Sequence, residues 1–572
     1  MKDLLNPRVE YSLKEITEKE ISDSTVLQKK GVEPLLADLL VLRGVRNFEQ
    51  YNLRQQLEPF ANMLNTLKAA EILTEAIEQD KRLCIVADYD VDGATACAIG
   101  VRGLKMFGAN ITYVVPNRFV HGYGLTPSVV DEAIKKANPD IIITVDNGVS
   151  SLEGIAHAKS KGVDVLVTDH HLAGEKLPED ALCIVNPNQP DCTFKNKSLA
   201  GCGVIWYVLC ALRDHWIKNG KCDEKNAPNV FSLIDLVAIG TVADVVKLEL
   251  NNRIIVNAGL GMIRQGKTRP GVLALIKECK RNYNKLNTMD IGFAIGPRLN
   301  AAGRLEDMSI GINCLLTEDM AEAERLAAQL NSINVSRKSL ELEMREEALE
   351  LESLKNTEHS KVAYSENFHE GVIGIVASRI KEQFYRPTIV FAPSEHAGEI
   401  KGSGRSIPEV HLRDALDYVY KKNPQVMVKF GGHSMAAGLT VRQQYFEDFC
   451  ILFEESVKYL TNGVELKNKR EIDFNLPGEF INIGNAEMLS MQVWGQAFTT
   501  PLFCGDFTIV DQTILKDSHL KLQVEKDGYI FDAIWFNNAK EMEYDTVNLV
   551  YTLSVNEYNN RKKIQLMVEG AY

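Results

Sequence analysis

One pattern, set out three times between Leu83 and His171, constrains the fold more than anything else in the chain. LCIVA, DIIITV and VDVLVT are short apolar runs rich in β-branched residues. Each stops at acids or imidazoles: Asp88, Asp90 and Asp92 after the first, Asp146 after the second, and Asp169, His170 and His171 after the third. ITYVVPNR and LCIVNP are runs of the same type, and helical stretches such as ATACAIGVRGLKMFG and SLEGIAHAKSKG lie between the runs. Short buried strands alternating with helices predict a parallel α/β sheet. Ligands of such a sheet bind outside the carboxyl ends of its strands. A single acid there often does no more than N-cap the following helix; three strand ends in a row call for another reason.

Calcium in an EF-hand is not that reason. DYDVDG has acids at the first, third and fifth positions and glycine at the sixth, but the twelfth position from Asp88, which needs a bidentate Glu, is Ile99. Carboxylates with one or two imidazoles suit Mn²⁺, Mg²⁺ or a similar cation. Several of them converging imply two ions, about 3.5–4 Å apart, which can activate water and clamp both oxygens of a phosphoryl transfer. Phosphoester hydrolysis is the chemistry implied.

The rest of the chain sets the domain plan. Its 572 residues exceed one core. Helical patterns dominate residues 1–60 and again from Gly201 to Gly266. Residues 317–356, without Gly or Pro, read as one long helix or two in series. A second α/β segment follows, then a tail of alternating strands with DG and NN turns that fits an antiparallel barrel or sandwich. The expected boundaries are a mainly helical extension (1–60), a catalytic domain (61–316), the linker helix (317–356), a substrate-binding domain (357–463) and a barrel (464–572). No apolar run approaches a membrane span, the N-terminal sequence has no secretory pattern, and the 11 cysteines form no CxxC pair. A reducing cytoplasm is the expected location. The net charge of −13 argues mildly against a generic nucleic-acid binder. Clustered carboxylates contribute to it, however, and a local basic groove can persist on an acidic protein.

DYDVDG, VDNG, TDHH and GTVAD occur in the order of the four motifs of the DHH phosphoesterase superfamily, which this chain resembles. PNRFVHGYGL, LAGCGV, HEGVIGIVASRI and GGHSMAAG support the likeness, and GPRLNAAGRL with GSGRSI narrows it to the RecJ branch, over about residues 60 to 440. The resemblance implies a metal-dependent, processive 5′→3′ exonuclease on single-stranded DNA that releases 5′-mononucleotides in recombination and repair. It makes Asp90, Asp92, Asp146, His170 and Asp244 metal ligands; Asp244 comes from GTVAD alone. Asp88 and His171 receive either a supporting place or a coordinating one that changes with occupancy. Asp169 would orient a histidine or cap its strand end. Arg118, Arg304, Ser403, Gly404, Arg405, Gly432, His433 and His369 become candidates to hold substrate phosphates, with Gly431 and Gly432 equally suited to a tight turn. His369 and His121 lie in similar glycine-containing loops, His369 being the better candidate.

The same resemblance implies a helicase and a single-strand-binding protein as partners. The tail resembles an OB-fold able to stack bases on aromatics. It departs from the branch in having QVWGQAFTTPLF where a Gly-Asn-Pro-rich stretch is usual. Trp494, Phe498, Trp535 and Phe536 there either meet bases or pack the barrel core. Contiguous domains suggest a monomer. Two alternatives are a DHH phosphodiesterase on short oligonucleotides or cyclic dinucleotides, and a non-catalytic replication scaffold; the second is marked by lost ligands, and none of the five is lost here.

Overall fold

The computed structural model describes residues 15–116, 123–351, 354, 357–462, 464–558 and 561–572. It divides into two compact units, one of residues 20–334 with 482–501, the other of the remainder. Strand β1 (Glu15–Glu18) pairs in parallel with β12 (Lys469–Ile472) in the second unit. This strand departs from the mainly helical character expected of residues 1–60: EITE has no apolar alternation and is a strand only through its partner.

The first unit is built on five parallel strands, β2 (Arg82–Ala87), β3 (Asn110–Val114), β4 (Ile141–Val145), β5 (Asp164–Thr168) and β6 (Cys183–Val185), in the order β3-β2-β4-β5-β6. Every residue of β4 is buried, as expected of a strand covered on both faces. On one face Cys84, Val86, Ile142, Val165 and Val167 pack with Val129, Val130, Ala133, Ile155 and Ala158 of helices Pro127–Ala137 and Leu152–Ser160. On the other lie helices Val91–Met106 and Gly201–Lys218. The strand order reverses around β2, so the loops after β2 and β4 flank the topological switch point, where open sheets bind ligands. The chain thus delivers Asp88 to Asp92 and Asp146 to one place by topology alone.

Helix Met320–Glu350 is continuous through the boundary between the units. In the second unit, β7 (Lys361–Tyr364), β8 (Thr388–Pro393), β9 (Glu399–Arg405), β10 (Met427–Gly432) and β11 (Ala436–Arg442) form a mixed sheet ordered β10-β11-β9-β8-β7. Ile389, Phe391, Leu416, Phe449 and Phe453 are among its core residues.

The tail is a closed barrel. β14 (Phe503–Leu515) pairs through Phe503–Thr508 with β17 (Thr546–Tyr558) and through Thr508–Leu515 with β15 (His519–Lys526). A register shift between Ile509 and Asp511 lets one strand serve both neighbours. β16 (Tyr529–Trp535) and β18 (Arg561–Ala571) complete the ring, and the short β13 (Phe474–Asn475) adds to β14. The DG turn is as read, with both Asp527 and Gly528 at positive φ; the NN pair at 559–560 lies outside the described residues.

Of the aromatics offered to the barrel, Trp535 is buried at the end of β16. Phe536 is half exposed, edge-on to His519. Trp494 and Phe498 are buried too, but not in the barrel: residues 482–501 pack within the first unit.

Candidate metal centre

The loop after β2 carries three carboxylates that differ in their fixation. Asp90 caps helix Val91–Met106, accepting the Gly93 N–H at 3.0 Å. Asp92, inside the first turn, turns to the neighbouring helix Gly201–Lys218 and accepts the N–H groups of Gly201 at 2.6 Å and Cys202 at 2.9 Å. A helix N-terminus is a natural seat for a carboxylate. Asp88 is buried at the strand end, and its carboxylate accepts the N–H of Tyr89.

Asp146 follows β4 with φ +62°, a left-handed conformation that Asp tolerates better than most residues. The helix start at Gly201 lies directly against it: a Cβ on Gly201 would fall 2.7 Å from the Asp146 Cβ. Gly201→Ala is therefore expected to displace both Asp146 and the N–H donor to Asp92. Activity should fall about 10- to 100-fold, while far-UV circular dichroism stays that of the folded chain.

After β5, the Asp169 carboxylate gathers four donors or ring contacts: His170 N–H at 2.7 Å, His171 N–H at 3.1 Å, His171 Nδ1 at 2.8 Å, and the Val149 N–H of the neighbouring loop at 2.9 Å. It ties the TDHH loop to the VDNG loop and turns the His171 ring. The side-chain amides of Asn186 and Asn188 hold the carbonyls of His171 and His170 at 2.9 and 2.6 Å. The Tyr123 hydroxyl stands 3.2 Å from His171 Nε2 and donates to the Asp146 carbonyl at 3.4 Å.

Around these loops the donor atoms converge in three overlapping groups: Asp146, His170 and His171; Asp92, His170 and Asp244; and Asp88, Asp90 and Asp146. His170 Nε2 stands 3.1 Å from Asp146 Oδ1, 3.6 Å from Asp244 Oδ2 and 3.9 Å from Asp92 Oδ2. Both His170 Nε2 and Asp146 Oδ1 are buried, yet neither has a hydrogen-bond partner. Orphaned acceptors facing one another in a pocket of carboxylates fit a cation between them.

The electrostatics agree. Burial, then repulsion from Asp92, raises Asp90, and burial followed by the neighbouring aspartates pushes Asp146 and Asp244 well above the usual carboxylate range. Burial holds His170 below the ordinary histidine value, which favours the neutral, ligating imidazole. On His171 burial opposes charge, and the Asp169 carboxylate more than offsets it, so its pKa is pushed up to about 8. Burial opposes ionisation of Asp169 as well; its bond to His171 and two backbone N–H groups outweigh that and lower it.

Helix Gly296–Leu305, the GPRLNAAGRL segment, lies on the DYDVDG loop. Asn300 accepts the Val91 N–H at 3.2 Å, and a Cβ on Gly303 would fall 2.0 Å from the Tyr89 carbonyl. Arg304, half-buried, follows that contact. Arg118 and His121 lie outside the described residues.

The other candidates belong to the second unit. Ser403, Gly404 and Arg405 end β9, between β8 and β11. Arg405 donates to the Gly404 carbonyl at 2.8 Å and to Ser403 Oγ at 3.2 Å, and burial depresses its pKa. Helix Ile373–Phe384 begins against this pair, the Cβ position of Gly374 being 2.9 Å from Ser403 Oγ. His369 Nδ1 accepts the Gly371 N–H just before that helix. Gly432 has φ +143° and a Cβ there would meet the Ala436 carbonyl at 2.4 Å, so the β10–β11 turn needs glycine; His433 is exposed on the same turn. Gly431, beside it, has open space at its Cβ position.

Asn186, Asn188, Asn300 and Tyr123 escaped the sequence reading. Each stands in or beside a quoted motif, but an amide or phenol acting on a backbone carbonyl or ring has no spacing signature.

A parallel sheet with this carboxylate–imidazole cluster at its switch point defines a class, the metal-dependent phosphoesterases of α/β fold. Residues 82–241 match the DHH family, N-terminal domain, residues 359–458 the DHHA1 domain and residues 472–570 the RecJ OB domain. The chain is 44% identical, over 96% of its length and 98% of the relative's, to a single-stranded-DNA-specific exonuclease RecJ of Salmonella typhimurium. A Mn²⁺-bound RecJ structure from Thermus thermophilus superposes with a TM-score of 0.81 at 27% identity, covering 98% of this chain and 79% of that one. The Mg²⁺-bound structure from the same organism gives 0.76 at 26%, covering 97% and 78%. This chain belongs to the RecJ family.

Proposed function

We propose that the chain is a metal-dependent 5′→3′ exonuclease on single-stranded DNA. It releases 5′-mononucleotides processively, as a monomer in the cytoplasm, during recombination and repair. The observation that carries this reading is the convergence of Asp146 and His170, each shared by two of the three donor groups. Family membership over nearly the whole chain supplies the substrate class.

Asp90, Asp92, Asp146, His170 and Asp244 would hold two divalent cations, Mn²⁺ or Mg²⁺, the ions of the related Thermus structures. Bound there, such cations bring water towards a pKa of about 7 and offset charge on the attacking and leaving oxygens of a phosphodiester. The chain's own groups do the rest. Asp169 fixes the His171 ring, and the start of helix Gly201–Lys218 fixes Asp92. Asp88 and His171 border the reacting phosphate. Arg405, with the Ser403 hydroxyl, offers donors to a phosphate, Gly404 serving as the paired strand position that carries them, and a bound anion would offset the cost of burying that guanidinium. His369, Gly432 and His433 extend the phosphate contacts, and Arg118 and Arg304 hold the phosphates next to the scissile bond. A helicase to supply the strand and a single-strand-binding protein are the proposed partners. Among the described residues no helix is long and apolar enough to cross a membrane.

The test is digestion of a long single strand labelled separately at its two ends, with a duplex of the same sequence beside it. Early release of the 5′ label as mononucleotide, with the 3′ label retained and the duplex spared, is the expected result. Early loss of the 3′ label would reverse the polarity, and cleavage of dinucleotides alone would remove the long substrate.

A further inference from the structure

Residues 482–501 lie in sequence between barrel strands β13 and β14, yet they pack within the unit that holds the metal centre. One of their contacts falls at Leu248, four residues after the metal-centre residue Asp244. The turn that carries Asp244 starts where helix Ile234–Ala243 stops, and Val245, next to Asp244, has φ +59°. A β-branched residue is strained in the left-handed region and stays there only when its surroundings hold it. Val245 itself is 63% exposed, so the hold must come from elsewhere in the turn.

It comes at Leu248. The Leu248 N–H donates to the Gln496 carbonyl at 2.8 Å, and the buried Leu248 side chain lies against the backbone of Gly495, 2.6 Å from where a Cβ would be. Gln496 is presented by a tight turn closed by two backbone bonds between Gly495 and Phe498, with Ala497 at φ +61°.

Four layers of side chains fix this turn in place. The Trp494 and Phe498 rings stack at 5.4 Å with 16° between their planes. The Arg43 guanidinium covers the Trp494 ring at 4.9 Å, and that of Arg253 covers the Phe498 ring at 4.1 Å. Trp494 Nε1 donates to the Leu489 carbonyl at 2.7 Å, and Arg43 Nε to that of Thr499 at 2.7 Å. Arg253 sits in the first turn of helix Leu250–Arg264, immediately after the Asp244 turn, and its buried Nε has no hydrogen-bond partner. That guanidinium packs on the ring face, and its Nη2 donates to the Gln50 carbonyl at 3.2 Å.

We infer that residues 482–501 brace the Asp244 turn, and that Trp494 and Phe498 are positioning residues for the metal centre rather than platforms for DNA bases. The inference rests on the proposal that Asp244 is a metal ligand.

Titration of the full chain with Mn²⁺, followed by the free-ion electron paramagnetic resonance signal, tests it. Phe498→Ala and Trp494→Ala should bind Mn²⁺ about 10-fold or more weakly, in the range of groups that orient metal ligands. Raised Mn²⁺ should restore turnover, and single-strand affinity in chelator should be unchanged. Trp494→Phe, which keeps a ring in the stack, should bind Mn²⁺ nearly as the parent does. Arg253→Lys, which keeps the charge and loses the planar layer, should show a smaller loss and guards against failure of the alanine variants to fold. Parental Mn²⁺ affinity in Arg253→Lys and in every folded alanine variant overturns the brace. So does a loss of single-strand affinity in chelator with Mn²⁺ affinity intact, which would make the rings base platforms. Failure of the parent itself to bind Mn²⁺ would instead remove the metal-centre reading.

Discussion

Asp146→Asn is expected to lower exonuclease activity by at least about 10³-fold while leaving the metal-free protein as stable as the parent or more so. Asp146 is 2% exposed, and burial together with Asp92, Asp90, Asp88 and Asp244 drives its pKa well above that of an ordinary carboxylate. Without a cation its charge is a liability, and the neutral amide removes the repulsion. Asn also tolerates the left-handed backbone at this position. With the cation the same charge becomes the attraction that the amide cannot supply. Thermal melting with and without Mn²⁺ separates the roles: the variant should match or exceed the parent in chelator and lose most of the Mn²⁺-dependent gain. A variant that melts well below the parent in chelator would make Asp146 a structural residue.

The second large effect is a stability that depends on pH and metal together. Asp90, Asp146 and Asp244 have folded-state pKa values above their unfolded ones, each through burial first and neighbouring carboxylates second. Their contribution is fully present below the unfolded value of 3.8 and is lost as pH rises through the folded-state values. His171, raised to about 8, acts in the same direction: its contribution is complete below 6.5 and lost as pH passes 8. Asp169 is lowered, so its contribution disappears only on acidification below 3.8, outside this window. In chelator, therefore, the protein should lose stability as pH rises above 3.8, with the His171 part lost between 6.5 and about 8. Mn²⁺ binds the deprotonated ligands, and a free concentration 100 times its Kd adds about 2.7 kcal/mol. The gap between the melting curves with and without Mn²⁺ should widen as pH rises. A gap that narrows would mean that the acids are not ligands.

Sequence made the centre legible to the extent that topology did. Strands covered on both faces read as continuous apolar runs, so the ends of β2, β4 and β5 could be located, and a parallel sheet brings those ends together. Asp244 follows a helix, where no alternation marks a strand end; it was reached only through GTVAD and the resemblance. Strand β1 was missed because its partner lies more than 450 residues away. Trp494 and Phe498 stand beside the barrel strands in sequence, which points them to the barrel. The contacts that remove them from it, Arg43, Leu248 and Arg253, come from distant segments. The helpers Asn186, Asn188, Asn300 and Tyr123 act on backbone atoms or rings that only the folded loops bring within reach.

The most direct test of the central claim is a crystal structure of the Mn²⁺-loaded protein with anomalous scattering recorded at the manganese edge. Two peaks are expected between the loops, bounded by Asp90, Asp92, Asp146, His170 and Asp244, with loss of at least one peak in Asp146→Asn. Manganese elsewhere on the chain, or none while the end-labelled strand is still degraded, would contradict that claim.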